Sequence, residues 1–494
     1  MAQIKKQAAD SGLKYRKEDL LLADSLKPYR DVAEAVLLPG VEYTLEEAEA
    51  EVNKFLKGKV KEMLGGGSFT TQNKILPGAY INFVSVSAAK SMMSDRGVAA
   101  VPLVLDWGPE KAVVEVSAEE FQNHSFDIFG HAYEDPEMQP LRELFRNLKK
   151  GIFYRLNGGI HAANDYGTAR YGGRRGNVMT TVITKNINDS TKYDVKTLFA
   201  GKEVDRQTVA APEELKDTEY VVFKKDAVLS ETAGIPFTGG TNGDDVTGED
   251  YAGFLEAMEA YTFHILCCPA ADDAVKALFT AYTKRMRDEA GIKFQTVVYR
   301  YPQADYEGII SVENKTAEME QGLVYWVTGV EAACEINRTN ENRRYDGELT
   351  VDTAYTQLKL SEAVQEGKFM FHKCGDDVRV LMDINSLTGF TDDKGEDFGN
   401  NQTVRVLDQI GNDVASLFNT RYLGAVPNDA SGRVALWNDI VSYNKELVKL
   451  RAIEEFDSKA ITVEAGDSKR SVVVECPVTP INCMSQLYMT IVVS

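Results

Sequence analysis

Between Tyr251 and Ala333 the chain alternates short apolar runs with capped amphipathic stretches, and that rhythm dictates a parallel sheet. Tyr251 to Tyr261 sets Tyr251, Phe254, Leu255 and Met258 on one helical face. Thr262 to Pro269 is largely apolar and reads as a buried strand. Asp272 opens a helix to Arg287 with Val275, Leu278, Phe279, Tyr282 and Met286 at helical spacing. Phe294 to Arg300 is a strand again, a further strand is expected at Leu323 to Thr328, and a helix after Gly329. Parallel strands cannot be closed by hairpins, so helices between buried strands mean βαβ crossovers.

The flanks have other rhythms. Ala99 to Pro109 is a buried strand ending in a turn. From about 112 to 235 short strands dominate, at Val113 to Val116, Thr180 to Lys185, Tyr193 to Val195 and Glu219 to Lys224. One helix, Pro140 to Lys150, is expected among them. After Phe369 come a strand at Val378 to Ile384, a helix carrying Val404, Leu407, Ile410, Val414 and Leu417, and a second from Leu436 to Leu450. Ile461 to Glu464 and Ser471 to Glu475 then pair around Gly466-Asp467. The fold class is multidomain, α/β and α+β. The expected divisions are a helical extension at 1–62, whose third helix opens with a Thr44-Leu-Glu-Glu47 capping box, and a Gly-rich linker with an extended arm at 63–90. A β-rich domain at 91–236, an α/β domain at 237–375, an α+β domain at 376–485 and a terminal strand at 486–494 follow.

At 494 residues the chain can hold several cores, and no run of roughly 18 apolar residues exists to span a membrane. Met1-Ala-Gln-Ile-Lys-Lys lacks the apolar centre of a signal peptide. A formal net charge of −20 argues against nucleic acid as a direct partner, because phosphate binding needs clustered Lys and Arg. Six scattered cysteines, with Cys267 and Cys268 adjacent, fit free thiols in a reducing cytoplasm rather than a metal or redox motif.

No nucleophile elbow, P-loop, H-E-x-x-H or dinucleotide fingerprint occurs. Gly65-Gly-Gly67 lacks the Lys-Ser/Thr that a phosphate loop needs, and Asp244-Asp245 lacks the spacing of a calcium loop. His264 and His372 lie in apolar strands and read as core histidines bonded to backbone. His124 and His131 flank Asp127, which leaves a metal site conceivable, and Cys374 shares a strand face with His372 without an orienting group. Gly172 to Gly176, with Arg174 and Arg175, reads as a solvated basic turn or a subunit ion pair rather than a phosphate contact. No catalytic residue, metal or cofactor is expected. The alternative function is an α/β hydrolase-like enzyme working from the parallel sheet.

The last residues stand apart. Leu487, Met489, Ile491 and Val493 alternate with Tyr488, Thr490 and Val492, so both faces are suited to a pleated sheet and no hairpin partner follows. A chain terminus is ordinarily polar and frayed. This strand must pair with its own sheet or with another molecule.

Seven stretches carry a family resemblance. Leu76-Pro-Gly-Ala-Tyr-Ile-Asn-Phe83, Val101-Pro-Leu-Val-Leu-Asp-Trp-Gly-Pro109 and Phe237-Thr-Gly-Gly-Thr-Asn-Gly243 resemble signature stretches of contractile-tail sheath proteins. So do Tyr325-Trp-Val-Thr-Gly329, Tyr345-Asp-Gly-Glu348, Arg405-Val-Leu-Asp-Gln-Ile410 and Gln486-Leu-Tyr-Met-Thr-Ile-Val-Val493. The likeness is to sheaths of bacteriophages and phage-derived bacteriocins of Gram-positive bacteria, and it runs in order from about Leu64 to the end. Residues 1–62 depart from it.

The resemblance implies a β-rich insertion domain, a subtilisin-like α/β domain without an active site, and a C-terminal domain with extended terminal arms. It implies a structural subunit, without cofactor, that polymerises helically around a tail tube and contracts to drive the tube through a cell envelope. Strand addition between subunits would use Ile75, Tyr80, Ile81 and Phe83 of one arm, and Leu487, Tyr488, Met489, Thr490, Ile491, Val492 and Val493 of the other. The implied partners are copies of the chain, the tube protein, the baseplate and the tail terminator, with no direct nucleic acid and no membrane. The implied location is a virion or bacteriocin particle assembled in the host cytoplasm.

Overall fold

The computed structural model describes residues 95–493, together with residues 15, 16, 37, 42–45, 47 and 48. The linker and the arm bearing Ile75, Tyr80, Ile81 and Phe83 lie outside the described residues, as do most of residues 1–62. The expected capping box is formed: Glu47 N donates to Thr44 Oγ1 at 3.1 Å and Thr44 N donates to Glu47 Oε2 at 2.8 Å. The chain divides into two compact units, residues 98–258 on one hand and residues 1–97 with 259–494 on the other.

Residues 98–258 hold a β-sandwich. Four antiparallel strands lie in the order Lys202–Val209, Tyr193–Phe199, Met179–Lys185, Thr232–Pro236, and three more in the order Val221–Phe223, Gly167–Gly172, His161–Ala163. Alternation puts Met179, Ile183, Val195 and Phe199 into one core with Trp107, Val221 and Phe237. Ala200 (φ 49°) and Gly201 (φ 81°) supply the two left-handed residues that a tight hairpin between twisted strands requires. Gly173 is needed for a different reason. Its φ is 135°, and a Cβ there would sit 1.9 Å from the Asp106 carbonyl oxygen, so the basic turn is shaped by backbone packing.

The same unit carries a helix that the strand-rich reading missed. Ala118–Phe129 is capped by Ser117, whose hydroxyl accepts from Glu120 N at 3.2 Å while Ser117 N donates to Glu120 Oε2 at 2.8 Å. Gly130 closes it in the left-handed conformation. The helix expected to reach Lys150 is shorter, Gln139–Phe145, because Lys150–Arg155 is a strand with Ile152, Phe153 and Tyr154 buried. That strand runs parallel to Val98–Leu103 and antiparallel to Val113–Ser117.

The other unit contains the expected parallel ladder. Ile265–Cys268, Gln295–Tyr299, Ile309–Val312 and Lys368–Phe369 pair in that order, all parallel. Asp272 caps the crossover helix Asp273–Lys284 by accepting from Ala274 N at 2.8 Å. One expectation fails here. Leu323 to Thr328 is not a strand but the start of a helix, Leu323–Ala333, and the strand lies earlier at Ile309–Val312. Residues Leu323 to Ala332 are all buried, packed on the ladder, and a segment enclosed on every side shows neither a period of two nor of 3.6.

The C-terminal part of this unit combines two long helices with a hairpin. Helices Asn401–Leu417 and Ala430–Lys449, capped by Asn400 and Asp429, pack with the antiparallel hairpin Thr462–Ala465/Val472–Glu475. Val406, Ile410, Leu436, Ile440, Tyr443 and Leu447 form the core between them.

Candidate functional site

The helix Asn401–Leu417 is an odd one: twelve of its 17 residues are buried, among them Arg405 and Asp408. A charge so placed must be paired or its desolvation goes uncompensated. Arg405 is. Its Nη2 donates to Glu331 Oε2 at 2.5 Å and Asp383 Oδ2 at 3.1 Å, and its Nη1 to the Arg338 carbonyl at 2.9 Å. Asp383 also accepts from Asn340 N and Asn401 Nδ2, each at 2.9 Å. Burial, with Asp383 alongside, pushes the Glu331 carboxyl up to about 8. Burial works the same way on Asp383, but Arg405 and its hydrogen bonds outweigh it and hold that carboxyl below the ordinary range. At neutral pH Glu331 therefore keeps its proton and Asp383 is the carboxylate that pairs with Arg405, while Arg96 lies beside them on the carbonyls of Glu331 and Cys334.

Three residues along the helix, Asp408 meets Arg287, which the π-turn Arg285–Ala290 swings inward at the end of the crossover helix. Lys394 bonds Glu307 at 2.7 Å beside them. Both ion clusters tie the helix to the parallel sheet and its crossovers.

The first turn of this anchored helix holds the root of the C-terminal arm. Gln402 acts as a surrogate backbone: its Nε2 donates to the Ile481 carbonyl at 3.0 Å and its Oε1 accepts from Cys483 N at 3.0 Å. Thr403 Oγ1 bonds Asn482 Oδ1 at 3.1 Å. Upstream, Glu454 N donates to Thr479 O at 2.8 Å and Ile481 N to Ala452 O at 2.9 Å, an antiparallel bridge of Ile453 with Pro480. Ser485 bonds Glu341. The signal for Gln402 was absent from its own neighbourhood, because its partners lie 79 and 81 residues away.

Beyond Ser485 the arm leaves the body. Leu487 is 84% exposed, Tyr488 88%, Met489 69%, Ile491 74%, Val492 86% and Val493 89%, and Thr490 is exposed with them. Among the described residues none from Gln486 to Val493 bonds to the rest of the chain; the one hydrogen bond is local, Tyr488 Oη to Gln486 Oε1 at 2.8 Å. Six large apolar side chains in a row in water are what an unfilled interface looks like. The four expected positions of the N-terminal arm lie outside the described residues.

His161 Nδ1 bonds the Ala169 carbonyl at 2.8 Å, and His131 Nε2 bonds Asp106 at 2.8 Å. His124 lies on the surface, 3.5 Å from Asp127. Burial raises the Cys267 thiol, pushes Cys268 up to about 12 and Cys334 up to about 11, so these sulfurs stay protonated. His372 and Cys374 share a short hairpin strand, Phe371–Cys374. The basic turn is held by Arg175 Nε donating to Gly130 O at 2.7 Å and Arg174 N to Asn242 Oδ1 at 2.8 Å.

Four family models match the chain in succession. They are the tail sheath protein Gp18 domain III N-terminal region over residues 96–156, the phage tail sheath protein beta-sandwich domain over 157–243, the phage tail sheath protein central domain over 244–386 and the phage tail sheath C-terminal domain over 393–494. The chain is 32% identical over 471 residues to the phage-like element PBSX protein XkdK of Bacillus subtilis (strain 168), covering 87% of this chain and 100% of that one. It superposes on the sheath tail protein of Desulfitobacterium hafniense with a TM-score of 0.72 at 35% identity, over 83% of this chain and 99% of that chain. With the sheath tail protein of Listeria innocua the TM-score is 0.70 at 33% identity, over 81% of this chain and 94% of that chain.

Proposed function

Because the chain belongs to the phage tail sheath protein family, and is thus a contractile tail sheath subunit and not an enzyme, we propose that its C-terminal arm is the element that joins subunits. It is a component of the tail sheath of phage-like particles. The observation that carries the proposal is the exposure of every residue from Leu487 to Val493 on a root clamped by Gln402.

The arm adds as a strand to a neighbouring copy, through Leu487, Tyr488, Met489, Thr490, Ile491, Val492 and Val493. Main-chain hydrogen bonds supply affinity and alternate side chains supply register. The acceptor in this reading is a hairpin of the neighbouring copy. The hairpin Thr462–Ala465/Val472–Glu475 has no further strand partner among the described residues, and its edges are open to pairing. An arm that pairs with a different surface on the next copy makes a heterologous contact, which repeats into a helix when it does not close. The N-terminal arm at 63–90, with Ile75, Tyr80, Ile81 and Phe83, makes the second such link.

The helix of subunits surrounds a tail tube, is bounded by a baseplate and a tail terminator, and shortens to drive the tube through a bacterial envelope. The particle, a virion or a bacteriocin, is assembled in the host cytoplasm. The parallel ladder and its crossovers form a subtilisin-like domain at 237–375 that serves as scaffold; in sequence it follows the β-rich domain at 91–236 and precedes the α+β domain at 376–485. Strand tethers suit contraction, since main-chain pairing survives a rigid-body rotation of the bodies it links.

Deleting Leu487 to Ser494 tests this reading. The truncated chain is expected to remain a soluble folded monomer that forms no tubes in electron micrographs. Tubes of ordinary length from the truncation would contradict it.

A further inference from the structure

His131 closes the turn after Gly130 and is 97% buried by its residue exposure of 3%. Its Nε2 lies 2.8 Å from Asp106 Oδ1. Among the described residues its other nitrogen, Nδ1, has no hydrogen bond. Instead it faces two carboxylate oxygens, Asp135 Oδ2 at 3.6 Å and Glu137 Oε2 at 3.7 Å. The three ligand atoms lie within 4.8 Å of one another.

The tautomer makes this arrangement informative. Asp106 Oδ1 lies at hydrogen-bond distance from Nε2, and since a carboxylate can only accept, Nε2 carries the hydrogen and Nδ1 presents a bare lone pair. Three possible ligand atoms then lie within 4.8 Å of one another. Separations of 3.6 and 3.7 Å are too long for a hydrogen bond to either carboxylate. They are close to the roughly 3.4 Å between neighbouring ligands around a tetrahedral zinc ion with bonds near 2.0–2.1 Å.

We propose that His131 Nδ1, Asp135 and Glu137 bind a divalent transition-metal ion of the zinc class, with Asp106 orienting the imidazole from behind. A carboxylate on the far nitrogen is the usual support of a metal-bound histidine. One imidazole and two carboxylates suit zinc, cobalt or manganese; magnesium and calcium prefer oxygen alone. The turn is built to hold its shape: Ala132 N donates to Asp135 Oδ2 at 2.9 Å, and Arg142 Nη1 donates to the carbonyls of Tyr133 and Asp135 at 2.6 and 2.8 Å. Three carboxylates, Asp106, Asp135 and Glu137, gather around the imidazole; among the described residues the cations beside them are Arg175, whose Nη2 is 4.0 Å from Asp135, and Arg142, which is turned to the Asp135 carbonyl. Water completes the coordination. The ion would staple the end of Ala118–Phe129 to the turn that follows it.

The test is zinc chloride titrated calorimetrically into the whole chain, with visible spectra of the cobalt-loaded protein and melting curves with and without zinc. Wild type is expected to take up a single zinc, to show the ligand-field bands of tetrahedral cobalt, and to melt higher when loaded. Glu137→Gln, at a side chain 59% exposed and so tolerant of change, is expected to bind roughly tenfold or more weakly and to lose the zinc-dependent rise while melting normally without zinc. His131→Gln is expected to abolish the cobalt bands. No zinc uptake, or uptake that both variants leave unchanged because exposed thiols such as Cys374 and Cys483 hold the ion, would overturn the proposal.

Discussion

Arg287 and Asp408 meet across 121 residues of chain in a two-point ion pair, Nη1 to Oδ2 at 2.6 Å and Nη2 to Oδ1 at 2.8 Å, with both side chains buried. Planar guanidinium and carboxylate match in this geometry, which fixes orientation as well as distance. The pair locks helix Asn401–Leu417 to the end of the crossover helix. Asp408→Ala removes the bidentate partner and leaves the buried guanidinium only the more distant Glu307, 3.9 Å away, which places the cost at the lower end of about 3–5 kcal/mol. Urea denaturation of the monomer measures it, and a loss below about 1 kcal/mol would show the pair to be incidental.

Glu331 makes stability depend on pH in a definite direction. Its carboxyl, ordinarily near 4.5, is pushed up to about 8 by burial and by Asp383. Between those values the folded chain holds a proton that the unfolded chain has released, so stability is full below about 4.5 and falls as pH rises through about 8. Asp383, whose carboxyl is depressed, acts oppositely, and its contribution is lost only in acid, below its ordinary 3.8. The window from 4.5 to 8 thus belongs to Glu331. Melting temperatures of wild type should drop from pH 5 to pH 9 more steeply than those of Glu331→Gln; parallel curves would count against the assignment.

Gln402 is the hinge pin of the arm. Gln402→Ala removes two hydrogen bonds worth about 1 kcal/mol each, and the rest of the helix keeps its ion pairs. The fold should survive with about 2 kcal/mol less stability, while amide exchange quickens at Ile481 to Ser485. Unchanged exchange there would mean that the clamp is redundant.

Gly173 tests the β-sandwich. A methyl at that position would overlap the Asp106 carbonyl and force a left-handed residue into strain. Gly173→Ala is expected to cost more than about 1 kcal/mol, and the overlap should bring it nearer 3. Calorimetry that finds it neutral would show that the turn can shift.

Much of the fold was legible because each signal was local. Val404, Leu407, Ile410, Val414 and Leu417 spell out a helix at 3.6-residue spacing, and Thr262 to Pro269 and Phe294 to Arg300 stand out as apolar runs between caps. Helix Ala118–Phe129 was also written locally, in Ser117 and Glu120, but was overlooked beside the strand-like residues before it. Leu323–Ala333 could not be read by period, since it has no solvent face. The site was half legible. The arm's alternation is visible in the sequence, and so is the Arg405 to Ile410 stretch, but the partners of Arg405, Asp408 and Gln402 lie between 22 and 121 residues away. Nothing in a linear pattern joins them.

The central claim is that Leu487 to Val493 is free in one subunit and paired in the assembly. Hydrogen–deuterium exchange of the monomer and of the assembled sheath measures this directly. The account predicts fast exchange throughout this stretch in the monomer and protection of its amides in the sheath, together with new protection along Thr462–Ala465 or Val472–Glu475. Amides of Leu487 to Val493 that are already protected in the monomer, or that remain unprotected in the sheath, would contradict it.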